Sequence, residues 1–333
     1  MDHNALRSTL DTGKQWIANF FALFTQAKSF QDNPIIGSPR LNRLGLHILR
    51  VILAHGIFRL RQAFLLFLIS ADERRAFHRD GFLLVTNVLP PEAFEQLQQS
   101  FGHPAVKLHS SRQGDTLTHS QLLSPQLQSQ ITTIQSILRE PALLNRLRYA
   151  SGMLLSPWFY FLRIENHLKK LAAQQPSTDL QQIPNDPQKM AHADAFHPTM
   201  KAWLFLHDVS AEQGPFCYYP ASHKLTVKRL RWEYQQSLIA SKTNNRYTAR
   251  GSFRLDDSGR KNLTPHPPKS FTVPANSLII ANTFGFHFRG NAAQGSTRDA
   301  LWASSWRAPF LPLPLPDSQK IRAFFYKKMQ QHL

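Results

Sequence analysis

A chain of 333 residues in which 42% are hydrophobic and 18% charged can bury a sizeable core, which excludes a fibrous or wholly disordered protein. Its single cysteine, Cys217, excludes an intramolecular disulfide and any site built on several thiolates, so a reducing compartment is expected. The formal net charge of +18 biases its partners toward anions, yet no zinc-finger spacing, RNP-like strand or helix-turn-helix pattern gives a clear nucleic-acid motif.

The first residues, MDHNALRSTL, lack the charged start, apolar core and small-residue cleavage site of a secretory signal, so the expected address is cytoplasmic. Residues 1–76 read as a helical, basic-amphipathic extension. A helical stretch around Trp16 to Phe24 ends in turn-rich sequence from Asn33-Pro34 to Ser38-Pro39. Residues 41–71 are strongly apolar and contain arginines but no acid, and on a helical wheel Arg43, Arg50 and Arg61 share one narrow sector with His47. Arg59 and Arg61 interrupt the run too early for a membrane span, which needs about 20 apolar residues. Two readings stay open. The segment lies in a membrane interface with its arginines reaching phosphates, giving peripheral membrane association, or it packs on the protein's own core with the basic stripe solvated.

The main domain is expected over 77–310. FHRDGFLLVTNVLPPEAFEQLQQ reads as a short strand, a turn and a helix starting near Pro90-Pro91, where proline suits the first helical position. Helical signals run on to about Arg148, and 158–164 reads as a strand. Residues 172–189 are polar and aperiodic, a loop. Further strands are expected at 202–206, 216–219, 270–273, 277–280 and 301–307, with a basic insertion over 225–269 and a basic helical tail over 311–333. Strands without helical crossovers favour antiparallel pairing. The expected fold is α+β: a double-stranded β-helix of jelly-roll or cupin-like form, with flanking helices and the N-terminal extension.

His192-Ala193-Asp194 sets an imidazole and a carboxylate two residues apart, which on extended chain point to one face. Alone, this triplet fits a surface strand as well. Downstream, however, His287 follows an apolar run, and Arg298 follows eleven residues later. Two histidines and one carboxylate form the facial triad of non-haem Fe(II) oxygenases, and a buried arginine can grip the far carboxylate of an oxo-acid in a two-pronged contact.

Three separate pieces resemble the phytanoyl-CoA dioxygenase family: FHRDGFLLVTNVLPPE, HADAFHPTMKAWLFLHDVSAEQGPFCYYPASHK and FHFRGNAAQGSTR. The resemblance spans roughly 77–310. It implies an enzyme, an Fe(II)- and 2-oxoglutarate-dependent dioxygenase that uses O2, with His192, Asp194 and His287 as iron ligands. It also implies Arg298 as the anchor of the co-substrate's far carboxylate and Trp203 beside the same pocket. Arg163 is the candidate for the upstream strand contact to the oxo-acid. Two departures stand out: Arg289 where the family often has a small hydroxyl residue, and Ala191 where a Trp or Tyr commonly precedes the first ligand. Asp194 itself argues for hydroxylation, since related halogenating enzymes have a small residue there to admit chloride.

The loop before His192 and Lys228, Arg229 and Arg231 of the insertion suggest a lid and a cationic mouth, hence a small or lipid-like anionic substrate. His197 and Lys201 can reach an anion or sit on a loop surface, His223 reads as structural, Cys217 as a small buried residue, and Phe284, Phe286 and Phe288 as core packing. Two other functions remain in view, a catalytically silent membrane-associated binding protein with the same barrel and an oxygenase acting on nucleic acid.

Overall fold

Side-chain alternation decides what each strand buries, and in the computed structural model of the chain, where residues 13–166, 186–318 and 320–323 are described, it sorts the strands into two sheets. The strands are β1 (Phe82–Val85), β2 (His109–Gln113), β3 (Thr116–Leu122), β4 (Trp158–Glu165), β5 (Met200–Phe205), β6 (Phe216–Tyr218), β7 (Lys269–Ser270), β8 (Leu278–Asn282), β9 (His287–Arg289) and β10 (Thr297–Ser304). The large sheet runs β1-β8-β5-β10-β4-β3-β2 and the small one β7-β6-β9. Their strands pair antiparallel. The result is the expected α+β, double-stranded β-helix core.

On β5, Met200, Ala202 and Leu204 face a core shared with Leu97, Ile134, Leu143 and Leu147 of the covering helices. Trp203 and Phe205 face the other way, against Phe216, Tyr218 and Phe271 of the small sheet's side. Helices therefore seal one face of the large sheet, and the other face and the small sheet enclose a cleft. The β2–β3 hairpin departs from the helical reading of that region. Its strands, HSSRQ and TLTHSQL, are mostly polar and lie at the sheet's edge, so no strong apolar alternation marks them.

At Phe77 the chain is still helical. The helix Ala71–Asp80 starts on a reciprocal capping box between Ser70 and Glu73 and ends at Gly81, φ 86°. A Cβ at Gly81 would stand 2.4 Å from His223 Nδ1, so glycine is required there for space as well as conformation. The 225–269 insertion holds three helices, Val227–Ile239, Arg246–Ala249 and Asp257–Leu263. The Gln/Pro-rich stretch up to residue 185 lies outside the described residues, as does the tail beyond 323.

Both readings placed the basic stripe of the Leu46–Phe64 helix at a surface, and that placement is corrected: the stripe faces inward. His47, Arg50 and Arg61 are buried, and only Arg43, just before the helix, is exposed. Arg50 donates to the carbonyl oxygens of Leu23, Thr25 and Ala27 at 2.9, 3.3 and 2.6 Å. Arg61 donates to those of Ala308 and Leu311 at 2.6 and 3.1 Å. A guanidinium offers five donors in a fixed fork, so free backbone carbonyls can satisfy it inside the protein. His47 Nε2 lies 2.9 Å from Glu233 Oε2, whose other oxygen accepts from Arg229 Nε at 3.0 Å. Arg229 also donates to the carbonyls of Ser222 and Phe284 and lies over the rings of Phe284 and Phe286. Those two phenylalanines pack core, as expected.

Breaking a buried pair costs more than the pair itself contributes, because one charge is left without compensation. Glu233→Ala is therefore expected to lower stability by about 3–5 kcal/mol, read from the urea midpoint, and a variant as stable as the parent would refute the network.

Two other histidines couple stability to pH. Burial pushes the His55 imidazole down to about 4 and that of His197 down to about 3. Each donates from Nδ1 to a backbone carbonyl, of Val51 and Pro198, and leaves its buried Nε2 without a hydrogen-bond partner among the described residues. The unfolded chain takes up these protons near pH ~6.5 and the folded chain does not, so stability is flat above that pH and is lost as pH falls below it. Urea midpoints measured from pH 7 down to 4 are expected to decline, by roughly 1–3 kcal/mol per histidine, and His55→Asn is expected to flatten the decline.

Candidate active site

The cleft's chemistry begins with a backbone bridge. His192 and His287 exchange reciprocal backbone hydrogen bonds at 3.0 and 3.1 Å, joining the segment before β5 to the start of β9. Asp194 N–H then donates to the Thr283 carbonyl at 2.9 Å, which turns its carboxylate toward the same place. His192 donates from Nδ1 to the Met190 carbonyl at 2.8 Å, and His287 from Nδ1 to that of Gly285 at 2.9 Å. Both Nε2 lone pairs are thereby free, and each Nε2 stands 3.8 Å from Asp194 Oδ1. The three ligand atoms lie within 4.8 Å of one another, and all three residues are buried.

Burial, with the neighbouring charges, holds both imidazoles below their ordinary pKa, so they stay neutral. Asp194 is pushed up by burial, but Lys201 and the two histidines outweigh this and hold it ionised. Two neutral imidazoles and a carboxylate are the donor set a divalent ion with mixed nitrogen and oxygen preference takes. Lys201 Nζ stands 2.8 Å from Asp194 Oδ2, so it engages the oxygen that does not face the histidines.

The adjoining cavity, about 250 Å³, is walled by Leu162, Ile164, Trp203, Phe288 and Trp302 and carries Arg298 and Lys201. Arg298 is buried, donates to the Gly214 carbonyl and lies 5.7 Å from the Phe205 ring centre. Burial pushes its guanidinium down to about 9, with Arg289 adding to the push. Trp203 and Arg298 both line this cavity beside His192 and His287.

Arg163 does not. On β4 the cavity is faced by Leu162 and Ile164, so the residue between them points to the opposite side of the sheet. There Arg163 makes a two-pronged pair with Asp299, at 2.7 and 2.8 Å. The departure at Arg289 also has a structural account: it is paired with the buried Asp186, just after the stretch that lies outside the description. Cys217 is buried, and burial pushes its thiol up, so it stays a neutral packing residue.

The cationic mouth drawn from the insertion needs correction as well. Arg229 is consumed by Glu233, while Lys228 and Arg231 are exposed. Other cations act on the site. Lys28, from the N-terminal segment, donates to the Asp194 backbone carbonyl. Burial pushes its ammonium down to about 8, and Arg307, Lys201 and Arg254 push the same way against the pull of Asp194. Arg254 follows Phe253, whose carbonyl accepts from Ala193 N–H, and its Nη1 is buried without a hydrogen-bond partner among the described residues. No local pattern in the sequence marks Lys28 or Arg254; each is brought in by packing from more than 55 residues away, counted from Asp194 (194 − 28 = 166 and 254 − 194 = 60). The hairpin strand β3 contributes Thr118 and Ser120 to the wall, also unforeseen.

A double-stranded β-helix with a buried His/Asp/His cluster in its cleft defines a class, the cupin-like metal-dependent oxygenases. Within that class, the phytanoyl-CoA dioxygenase family matches residues 77–256, and the chain belongs to this family of Fe(II)- and 2-oxoglutarate-dependent enzymes. Similar solved structures include the epimerase SnoN in complex with Fe3+, α-ketoglutarate and nogalamycin RO, 18% identical over 70% of this chain and 81% of that one, TM-score 0.46. Others are HygX from Streptomyces hygroscopicus with nickel and 2-oxoglutarate, 17% identical over 71% and 86%, TM-score 0.42, and EctD from S. alaskensis, 11% identical over 71% and 76%, TM-score 0.45. No curated protein matches the chain.

The placement of Arg163 carries its own test. Arg163→Met is expected to leave the KM for 2-oxoglutarate unchanged while costing about 1–3 kcal/mol of stability, because Asp299 loses its partner in a buried position. An increase in that KM with stability intact would return Arg163 to the co-substrate site.

Proposed function

We propose that His192, Asp194 and His287 hold Fe(II) and that the protein hydroxylates an unactivated C–H bond of a small or lipid-like anionic substrate. For each hydroxyl inserted, one O2 and one 2-oxoglutarate are consumed, and succinate and CO2 are released. The observation that carries this reading is the convergence of two free imidazole Nε2 atoms on one carboxylate oxygen, each at 3.8 Å, in a buried cleft beside Arg298. When bound, the ferrous ion supplies oxygen activation coupled to decarboxylation of the oxo-acid.

The chain's own residues supply binding, orientation and exclusion of water. Backbone carbonyls of Met190 and Gly285 fix the histidine tautomers, which keeps Nε2 available. Lys201 holds Oδ2 of Asp194 and leaves Oδ1 toward the histidines. Arg298, buried and charged at neutral pH, is the group to bind the far carboxylate of 2-oxoglutarate, with Trp203 as a neighbouring wall. Asp194 occupies a position that a halide would need, which favours hydroxylation.

An anionic substrate is supported by Lys28, Lys201 and Arg254, which gather around Asp194, and by Arg254 Nη1, which has no hydrogen-bond partner among the described residues. A lipid-like anion, reached by a cytoplasmic enzyme peripheral on a membrane through 41–71, is the finer form of the same reading.

Purified protein loaded with Fe(II) is expected to consume O2 and form succinate only when 2-oxoglutarate is present. His192→Ala and Asp194→Ala are expected to abolish both, and full turnover in either variant would overturn the ligand assignment. Arg298→Lys, which keeps the charge but loses the fork, is expected to raise the KM for 2-oxoglutarate roughly tenfold or more.

A further inference from the structure

The Leu46–Phe64 helix buries most of its polar side chains, His47, Arg50, His55, Arg61 and Gln62, together with Val51, Ala54 and Phe58, and leaves a row of large apolar side chains facing out. Leu49, Ile52, Leu53, Leu60 and Phe64 are each about half exposed, at 46–55%, and their spacing of three, four and seven places them along one face. Phe67, just beyond the helix, is 77% exposed. Helix 13–21 and the turn after it add Trp16, Ile17, Phe20, Phe21 and Phe24, each more than half exposed. Among the described residues, the exposed large apolar side chains outside 16–67 are only Met190, Val227, Ile239 and Leu313. Large apolar side chains left exposed in such number within one segment mark a surface that something covers.

We infer that this face seats the protein on an anionic lipid bilayer, as a monotopic contact that does not cross it. Among the described residues, no helix is long and apolar enough to span. The charge around the patch argues for anionic lipid. No Asp or Glu lies between Asp32 and Asp72, and Arg40, Arg43 and Arg59 are exposed there. A second copy of this chain would bring these arginines toward their own duplicates with no acid in the segment to pair them. Lipid phosphates offer that pairing, and tryptophan and phenylalanine side chains suit the boundary between headgroups and acyl chains. Beside the stripe, Arg59, Ala63 and Leu66 open on a cavity of about 570 Å³ whose other walls carry Lys224, His78 and His223. Apolar and cationic walls side by side suit a molecule with a tail and an anionic head.

The inference sharpens the membrane part of the proposed function, but its test needs no turnover. The full chain, without iron or 2-oxoglutarate, is mixed with phosphatidylcholine vesicles with and without phosphatidylglycerol and sedimented. The protein is expected to travel with the phosphatidylglycerol vesicles, less with phosphatidylcholine alone, and less as salt rises. The double variant Leu53→Ser with Phe64→Ser is expected to reduce partitioning by at least about tenfold. Arg43→Glu with Arg59→Glu is expected to remove the preference for phosphatidylglycerol. Unchanged circular dichroism and unchanged thermal midpoints would show that these variants remain folded. Wild-type protein left in the supernatant, or an apolar double variant that partitions like wild type, would overturn the inference. So would a wild-type dimer that the apolar variant converts to monomer in the absence of vesicle binding, since a second copy would then be the occupant. The His192→Ala protein is expected to bind vesicles as wild type does, so failure of the oxygenase reading and failure of this one are separate results.

Discussion

The two backbone hydrogen bonds between His192 and His287 are the constraint on which the site depends. They lock residues separated by 95 positions (287 − 192) into one register, with both imidazoles on the cleft side. Side chains along extended chain alternate, so a slip of one residue at this bridge would turn an imidazole away from the cleft. Ala193 occupies the intervening position and packs with Phe30, Trp232 and Phe253 in a separate apolar cluster. Registry and burial therefore enforce the same arrangement from two sides: the histidines cannot face outward without Ala193 facing the cleft.

The charge distribution around that bridge works against ordinary packing. Asp194 is one carboxylate beside Lys28, Lys201 and Arg254, and the buried Arg298 and half-buried Arg289 line the same cleft. Some of these cations are satisfied within the fold, Arg289 by Asp186 and Arg298 in part by the Gly214 carbonyl. Burying cations in excess of anions lowers stability unless a bound anion compensates. A site built in this way stores its compensation in its ligands, and a dicarboxylic oxo-acid together with an anionic substrate has the right sign. The net charge of +18, ambiguous in the sequence, thus has two separate components: cations gathered inside the cleft and cations left on the exposed surface.

Much of the site was legible because its ligands sit in short local patterns that differ from their surroundings. His192-Ala193-Asp194, His287 and Arg298 stand out for residue type and spacing, and the strands that carry Trp203 and Leu162 are rich in aromatic and branched residues. Arg163 was misassigned although period-two alternation already set it opposite to Leu162 and Ile164; residue type outweighed parity in that reading. Lys28 and Arg254 were not legible, because only the tertiary fold brings them to Asp194. The β2–β3 hairpin was missed for another reason: an edge hairpin of Ser, Thr, Gln and His buries too little to show a period.

The N-terminal segment shows most clearly what a hydrophobic wheel leaves undecided. A wheel separates two faces but does not say which is inside, and the rule that apolar faces turn inward fails where buried guanidiniums find carbonyl partners. Arg50 is the pivot. Its donors hold the carbonyls of Leu23, Thr25 and Ala27, and the residue after Ala27 is Lys28, whose ammonium reaches the Asp194 carbonyl. One short stretch of chain consequently connects the outward apolar surface to the segment of Asp194, through the buried Arg50 at one end and the half-buried Lys28 at the other. Any force that shifts the Leu46–Phe64 helix relative to the barrel must either move Lys28 with it or strip Arg50 of its partners, and the second option leaves a buried charge unsatisfied.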